Sequence, residues 1–303
     1  MPFSFHSHSG QFCRHAKGTL EGVVKAAIAK NMLVLGLSEH VPRSRPQDLY
    51  PEESDLTTSD LHTAFGAYVE EARRLRTLYG DQIHILIGAE TEYITNDTVS
   101  ELKQLREKYD LDFLVGSLHH VSGMPMDFSQ ELYEQIVQHY NGDRGKMFQV
   151  YFDEQLVLLQ ELQPEIVGHF DLIRIFHPYG EGVEDPLLQD DIRKLALRNI
   201  EYAISYGAIF EINTRAWKKG LRDAYPQRDL LQEIVSRGGR VTLSDDSHGE
   251  QDICMYYDRA LAYLREMGIN QLHYLCKTDT GSVKVHVLDD ATDHSFWKSN
   301  GFA

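Results

Sequence analysis

Seven short apolar runs are distributed along the chain, each followed within a few residues by polar side chains. The runs cover residues 3–5, 32–37, 83–87, 113–115, 166–167, 209–212 and 241–243. Short apolar runs bounded by turn residues are typical of strands buried on both faces. Segments with helical periodicity lie between them, at residues 19–30, 59–79, 99–109, 144–162, 190–206, 229–237 and 253–267. This alternation predicts βα units that build a parallel sheet, and therefore an α/β protein.

Six of the seven runs end in residues that can bind a metal ion. Together with His15, which follows a turn containing glycine, the candidate ligands are His6, His8, His15, His40, Glu90, His119, His169, Asp246 and His248. The sixth run is the exception, because it ends in Asn213 and basic residues. The C-terminal ends of the strands in a parallel barrel converge on one mouth, where such enzymes place their chemistry. The pattern predicts a barrel with a metal cluster at its mouth.

Two segments interrupt the alternation of strands and helices. Residues 42–60 are rich in Pro, Ser, Asp and Glu, and residues 177–189 contain two prolines and two glycines. Each segment follows a strand and its candidate ligand, so each is a candidate substrate loop over the mouth. For the second segment, a surface excursion without a role is an equal alternative.

Composition and charge narrow the class of protein. The chain has 303 residues, 42% of them hydrophobic, which favours one α/β domain over residues 1–303. Acidic residues outnumber basic ones by 46 to 30, and no Lys/Arg cluster is longer than about a pair, so nucleic acid is not the expected partner. The three cysteines show no paired spacing, and no signal pattern or apolar membrane span is seen. We expect a cytoplasmic enzyme without a membrane partner.

The candidate ligands are imidazoles and carboxylates, a mixture that suits divalent first-row ions. The absence of cysteine pairs argues against a closed structural zinc site. Nine ligands exceed the needs of one ion, and with shared carboxylates they can hold two or three, the arrangement that assists in-line phosphoryl displacement. Zn, Mn and Fe all accept this donor set, so the sequence leaves the metal open. It also leaves the oligomeric state open.

Seven ordered motifs resemble those of the polymerase and histidinol phosphatase (PHP) family. They are His6-x-His8, Ser38-Glu39-His40, Gly88-Ala89-Glu90, residues 116–120, residues 168–172, residues 211–214 and residues 244–248. Within the family the chain is most similar to the stand-alone, fungal-type histidinol-phosphate phosphatases, which it further resembles at residues 40–43, 50–53 and 125–128. The resemblance extends from residue 1 to about residue 300.

The resemblance implies a distorted (β/α)7 barrel with up to three ions held by the nine ligands. It also implies metal-dependent hydrolysis of a small phosphomonoester, L-histidinol phosphate, in histidine biosynthesis. Other family members act on nucleotides or nucleic-acid ends, which is the main alternative. A barrel that binds metal without catalysis is a second alternative, which the nine occupied ligand positions disfavour.

One motif departs from the family pattern. Members usually follow Glu-Ile-Asn-Thr with a small pair, an apolar residue and Arg-Lys, and here Lys218 occupies the Arg position. Arg215 is an added candidate for phosphate binding, and Arg43 is a third. Lysine neutralises phosphate as a point charge but lacks the bidentate fork of arginine. We expect Lys218 to matter more than Arg215; in the alternative, Arg215 and Lys219 only solvate a loop.

Further roles follow from the expected reaction. Asp246 and His248 are the candidates for proton transfer to the leaving group. The acidic candidates for binding the imidazole and ammonium of the substrate are Glu52, Glu53 and Glu92. Trp217 and Tyr225 either line the imidazole pocket or pack in loops. Cys13 is expected near the mouth, without an assigned role, and His120 is expected to pack behind its neighbouring ligand.

Overall fold

A parallel sheet of seven strands forms the centre of the molecule in the computed structural model, which describes residues 2–178, 184–278 and 280–303. The strands are β1 (Phe3–Ser4), β2 (Val34–Leu37), β3 (His84–Glu90), β4 (Phe113–Gly116), β5 (Ile166–Val167), β6 (Ile209–Asn213) and β7 (Arg240–Ser244). They lie in the sheet in chain order, and each pairs in parallel with the next. Each strand corresponds to one of the seven apolar runs, which confirms the α/β prediction.

The first and last strands meet beyond their ends rather than along their length. Ser7–His8, just after β1, pairs in parallel with Ser247–His248, just after β7. Below this pair, the Ser4 hydroxyl donates a 2.8 Å hydrogen bond to Asp245 Oδ1. The sheet is thus a nearly closed, distorted barrel. Its seam brings the first and last candidate ligand motifs together.

Ten helices are present in the described part of the chain. They are α1 (Leu20–Ala29), α2 (Thr58–Tyr79), α3 (Asn96–Tyr109), α4 (Gln130–His139), α5 (Arg144–Leu162), α6 (Asp190–Tyr206), α7 (Arg215–Lys218), α8 (Arg228–Ser236), α9 (Tyr257–Glu266) and α10 (Ser295–Ser299). Thr19 caps α1 by accepting a hydrogen bond from Gly22 N, as the sequence predicts. Seven of the ten correspond to the predicted helical segments, whereas α4, α7 and α10 were not predicted.

The start of α9 differs from its prediction by four residues. The sequence predicts a start at Ile253, but residues 250–252 form a 3₁₀ turn and the helix begins at Tyr257. Cys254 and Tyr256 both have a φ of 59°, and a left-handed residue cannot continue an α-helix. The prediction therefore placed the helix too early.

The Phe113 ring packs against glycines of two neighbouring strands. A Cβ atom added to Gly88 of β3 would lie 2.5 Å from the Phe113 ring, and one added to Gly36 of β2 would lie 2.7 Å from it. Phe5 meets the same ring edge-on at 5.9 Å between centroids. The two glycines therefore make room for Phe113, and this packed layer supports the strand ends that carry the ligands.

An antiparallel hairpin, β8 (Leu272–Lys277) and β9 (Val283–Leu288), lies outside the barrel and was not predicted. Tyr274 stacks on Phe3 at 4.9 Å, and Lys277 pairs with Asp112 at 2.6 Å. Both partners lie at strand starts, so the hairpin covers the end of the barrel opposite the mouth. Among the described residues, no helix is both long and apolar enough to cross a membrane. The single domain over residues 1–303 stays a prediction.

Candidate metal centre

Glu90, the last residue of β3, lies at the centre of the site. Its Oε1 atom is 2.9 Å from His6 Nε2, 3.1 Å from His119 Nε2 and 3.0 Å from His169 Nε2. These histidines follow three different strands, and Glu90 itself is 1% exposed. The convergence of strand ends on one mouth therefore brings four predicted ligands into contact, as the sequence analysis expected.

The second oxygen of Glu90 faces the seam of the barrel. Glu90 Oε2 lies 3.3 Å from His8 Nε2 and 3.0 Å from His40 Nδ1. Across the seam, Asp246 Oδ1 lies 3.7 Å from His6 Nε2 and 3.8 Å from His8 Nε2. Asp246 has a φ of 46°, which turns its carboxylate back over the strand ends. The carboxylates of Glu90 and Asp246 are thus placed to share neighbouring ions.

His15, His40 and His248 occupy the outer side of the cluster. His15 Nε2 lies 3.3 Å from His40 Nε2, and the His15 and His248 rings are 5.0 Å apart. Among the residues that the structure describes, donor atoms within 4.8 Å of one another form four groups. They are His8, His40 and His248; Cys13, His15 and His40; His6, Glu90 and His169; and His6, His8 and Asp246. His119 joins through Glu90, so the structure brings all nine predicted ligands together.

Several buried nitrogens in this cluster make no hydrogen bond with the described protein atoms. They are His6 Nε2, His8 Nδ1, His8 Nε2, His40 Nδ1, His119 Nδ1 and His169 Nδ1. Some are within ion-pair distance of a carboxylate, as for His6 Nε2 and Glu90, but are not aligned for a hydrogen bond. Buried polar atoms are rarely left unsatisfied in native proteins. Unsatisfied imidazole nitrogens around shared carboxylates fit a divalent metal cluster.

The charge states of the carboxylates suit metal binding. Burial raises the pKa of Glu90, but His6, His119 and His40 outweigh that effect and hold the pKa well below its usual range. Burial likewise opposes ionisation of Asp246, yet His6, His248 and Arg215 lower its pKa below the normal value. Both groups are therefore anions near neutral pH, as metal ligands must be.

His248 is neutral in the same environment. Burial and the neighbouring His8 hold its pKa well below the usual value. A neutral imidazole and an ionised carboxylate are the forms that bind metal. These charge states suit the two residues as proposed ligands, and their role in proton transfer stays a prediction.

Two buried carboxylates behind the ligands were missed. Glu39 Oε2 lies 3.5 Å from His8 Nδ1, while its Oε1 accepts a 2.8 Å hydrogen bond from Ser9 N. Glu211 Oε2 lies 3.1 Å from His6 Nδ1, and Glu211 Oε1 accepts a 2.6 Å hydrogen bond from His169 N. Carboxylates in such positions fix the ring orientation of metal-binding histidines. A charged residue inside the apolar run 209–212 was the signal that could have identified Glu211.

Glu92 takes a different place from the one predicted. It is 2% exposed, and its Oε1 atom lies 3.0 Å from His40 Nδ1 and 3.5 Å from His119 Nδ1. His120, buried as expected, places Nδ1 3.8 Å from Glu92 Oε2. Glu92 therefore contacts two predicted ligands, and it does not line the cleft into which the cluster opens.

The cluster opens into a cleft of about 410 Å³. Besides seven predicted ligands, its lining residues are Tyr50, Glu52, Asp127, Phe128, Leu172, Ile175, Arg215, Lys219 and Tyr225. Segment 42–60 contributes Tyr50 and Glu52, which confirms that it borders the mouth. Segment 177–189 includes residues 179–183, which lie outside the described residues, so its predicted substrate role stays a prediction.

Glu53 and Arg43 are paired with each other away from this cleft. Their side chains form a buried ion pair, and the Arg43 guanidinium also lies over the Tyr50 ring at 4.7 Å. Neither residue lines the cleft. The geometry thus gives them a role in holding segment 42–60, in place of the predicted contacts with substrate.

The two basic candidates in the Thr214 motif have different positions. Arg215, the first residue of α7, lines the cleft, and its Nη1 donates to Asp246 O at 3.0 Å and to Asp252 Oδ2 at 3.2 Å. Lys218 binds Asp252 at 2.8 Å with a side chain that is 42% exposed, and it does not line the cleft. The geometry favours Arg215 over Lys218, the reverse of the ranking from the sequence.

The two aromatic candidates also differ in their position relative to the cleft. Tyr225 lines the cleft with its ring 6.3 Å from that of His169. Trp217 is 5% exposed, donates its indole N–H to Arg222 O, and packs on Tyr263 at 5.7 Å. Of the pair, only Tyr225 is placed to meet a substrate.

Comparisons with known proteins agree with this architecture. A PHP domain model matches residues 4–215. A probable histidinol-phosphatase of Schizosaccharomyces pombe is 48% identical over 303 residues, 99% of either chain. A histidinol-phosphatase of Saccharomyces cerevisiae is 32% identical over 90% of each chain.

Two solved structures share the fold. A putative histidinol phosphatase of Listeria monocytogenes superposes with a TM-score of 0.71 at 24% identity, covering 85% of this chain and 99% of its own. A histidinol phosphate phosphatase of Lactococcus lactis, complexed with Zn, L-histidinol and phosphate, gives 0.70 at 22% identity, covering 93% and 98%. The distorted barrel is confirmed. The chain belongs to the PHP domain family and, within it, to the fungal-type histidinol-phosphatases.

Proposed function

We propose that this protein is a metal-dependent phosphomonoesterase that hydrolyses L-histidinol phosphate to L-histidinol and phosphate in histidine biosynthesis. The observation that carries the proposal is the convergence of nine N/O donors, centred on Glu90, at the floor of a cleft that also contains Arg215. Membership of the histidinol-phosphatases supports the choice of substrate. The cytoplasmic location stays a prediction.

The donor groups suit two or three divalent ions, with Zn, Mn and Fe as the candidates. His6, His8 and Asp246 would hold one ion. Glu90 would hold a second with His119 and His169, whose Nε2 atoms lie within 3.1 Å of its Oε1. His15 and His40, whose Nε2 atoms are 3.3 Å apart, would hold a third with His248. The bound ions supply Lewis-acid polarisation of the phosphoryl oxygens and of the attacking water. The protein's own part is to place the ester above the donors and to compensate its charge.

Arg215 is the proposed phosphate-binding group in the cleft, with Lys219 beside it. The positive charge of Arg215 faces the anionic end of the cluster, and its planar fork matches phosphate geometry. Negative charge develops on the phosphoryl oxygens in the transition state. A positive charge that is already in position stabilises it without rearrangement of the protein. The same group would bind the phosphate product, so inhibition by inorganic phosphate measures its contribution to phosphate binding.

Other residues that line the cleft suit the histidinol part of the ester. Glu52 and Asp127 supply carboxylates for an ammonium group. Phe128, 40% exposed and stacked at 5.6 Å on Tyr50, offers an aromatic face to the imidazole. Binding of these remote groups can be used to orient the phosphate. Glu52 thus keeps its predicted role, with Asp127 as a partner that was not predicted.

Steady-state kinetics on a panel of phosphomonoesters test the proposed function. After reconstitution with metal, we expect kcat/KM for L-histidinol phosphate to exceed that for AMP by on the order of 100-fold or more, because only the former has an ammonium and an imidazole for Glu52, Asp127 and Phe128 to bind. Phosphoethanolamine is the matched control, since it keeps the amino-alcohol ester and lacks the imidazole. A higher kcat/KM for AMP, or for a single-stranded DNA end, would refute the substrate assignment.

Substitution of the two basic residues tests the phosphate-binding assignment. We expect Arg215→Ala to lower kcat/KM on the order of 100-fold, as for the loss of one preorganised charge at an oxyanion. Lys218→Ala is expected to cost less than about tenfold, because Lys218 is bound to Asp252 at the surface. Inhibition by inorganic phosphate should weaken in Arg215→Ala alone. A larger loss in Lys218→Ala would restore the sequence-based ranking.

A further inference from the structure

Two imidazole nitrogens face each other on the outer side of the metal centre. His15 Nδ1 lies 2.7 Å from Glu52 Oε1, a contact that places the ring proton on Nδ1. His40 Nδ1 lies 3.0 Å from both Glu90 Oε2 and Glu92 Oε1, so two carboxylates occupy that side of its ring. The Nε2 atoms of His15 and His40 lie 3.3 Å apart, on the other side of the two rings. Two imidazole nitrogens this close can bind the same cation.

A third donor points at the same position. Cys13 Sγ lies 3.2 Å from His15 Nε2, and donor atoms of Cys13, His15 and His40 are all within 4.8 Å of one another. The thiol is held by the turn before His15, in which Cys13 N donates to Ser9 O at 2.9 Å. Ligands of one tetrahedral zinc, with Zn–N near 2.0–2.1 Å and Zn–S near 2.3 Å, lie about 3.3–3.6 Å apart. The observed separations are close to that range.

We propose that Cys13 supplies a thiolate ligand to the ion that His15 and His40 bind. The inference rests on the proposed metal centre and adds a sulfur donor to one of its positions. The other positions offer only nitrogen and oxygen. Thiolate favours Zn over Mn, whereas carboxylate and imidazole accept both. The Cys13 position therefore selects Zn more strongly than the positions around Glu90, and its thiol proton is released when the ion binds.

The two other cysteines provide internal controls. Cys276 lies half-buried on the β8–β9 hairpin, at the opposite end of the barrel from the mouth. Cys254 is buried at the turn before α9. Neither belongs to a group of potential metal ligands among the described residues. A serine at position 276 removes a thiol without touching the centre.

Cobalt spectroscopy tests the sulfur ligand directly. The full chain is freed of metal and loaded with Co²⁺, and the near-ultraviolet sulfur-to-cobalt charge-transfer band is recorded for wild type, Cys13→Ser and Cys276→Ser. We expect the band in wild type and Cys276→Ser and its loss in Cys13→Ser. The weakest-binding Zn site of Cys13→Ser should also have a Kd for Zn²⁺ roughly tenfold or more above that of the weakest site in wild type. Circular dichroism and the remaining cobalt d–d bands check that this variant is folded and loaded.

The outcomes separate this inference from the proposed function. A fully loaded wild type without the band, or a band that persists in Cys13→Ser, overturns the thiolate ligand. Hydrolysis of L-histidinol phosphate is measured on the same samples. An active Co²⁺ enzyme without the band refutes the ligand alone, whereas a Cys13-dependent band without hydrolysis supports the ligand and refutes the function.

Discussion

Replacement of Glu90 by glutamine is expected to lower kcat for L-histidinol phosphate by roughly two orders of magnitude or more, the scale of losing a central electrostatic element. The substitution keeps the shape of the side chain and removes a charge that five predicted ligands surround: His6, His8, His40, His119 and His169. A neutral amide cannot bridge two cations as a carboxylate does. The variant should therefore also retain fewer ions per chain.

Glu70→Gln is the matched control, because Glu70 lies exposed on α2. It should have wild-type kcat and metal content. Thermal unfolding of Glu90→Gln in the presence of metal establishes that the variant is folded. Activity of Glu90→Gln near that of wild type would remove Glu90 from the centre and with it the bridging carboxylate.

The strands were predictable because the barrel buries them on both faces, which leaves an apolar run where each one lies. Even β5, which has only two residues, follows this rule. α4 was missed because its three buried residues, Tyr133, Ile136 and Val137, stand among polar side chains. The hairpin β8–β9 was missed because Val285 and Val287 are exposed, so the alternation of buried and exposed residues is weak.

The nine ligands were predictable because strand ends converge in a parallel barrel. The carboxylates behind them were harder to predict, since a buried Glu39 or Glu92 has the same sequence signal as a surface acid. Their roles depend on which imidazole nitrogen they meet. That contact is set by the side-chain geometry of the folded barrel.

The ranking of basic residues depended on a partner distant in sequence. Asp252 binds Lys218 at the surface, and it also lies 3.2 Å from Arg215, which reaches the cleft. The family resemblance located the motif but did not reveal that α7 begins at Arg215. Helix α7 has a single turn, and the neighbouring loop decides in which direction its side chains point. A helix this short has no periodicity in the sequence from which those directions could be predicted.

Removal of the metal is the second change with a large expected effect. Without ions, the protein keeps Arg215 and the cleft but has no Lewis acid for the phosphoryl group or the water, and we expect activity to fall below roughly one hundredth of that of the loaded enzyme. The unfolding temperature should also fall, because the assembled ligand cluster binds ions more tightly than the unfolded chain does. A chelator can also inhibit by binding to the enzyme without removing its ions. In that case, activity would return when the chelator is diluted.

Titration of the metal-free protein with Zn²⁺ or Mn²⁺ is therefore the decisive experiment on the metal cluster, with bound metal and hydrolysis of L-histidinol phosphate measured on the same samples. We expect rate and bound metal to rise together and to reach their limit at two to three ions per chain, the number that nine ligands with shared carboxylates can hold. Full activity in protein free of metal, or a limit reached at one ion, would contradict it.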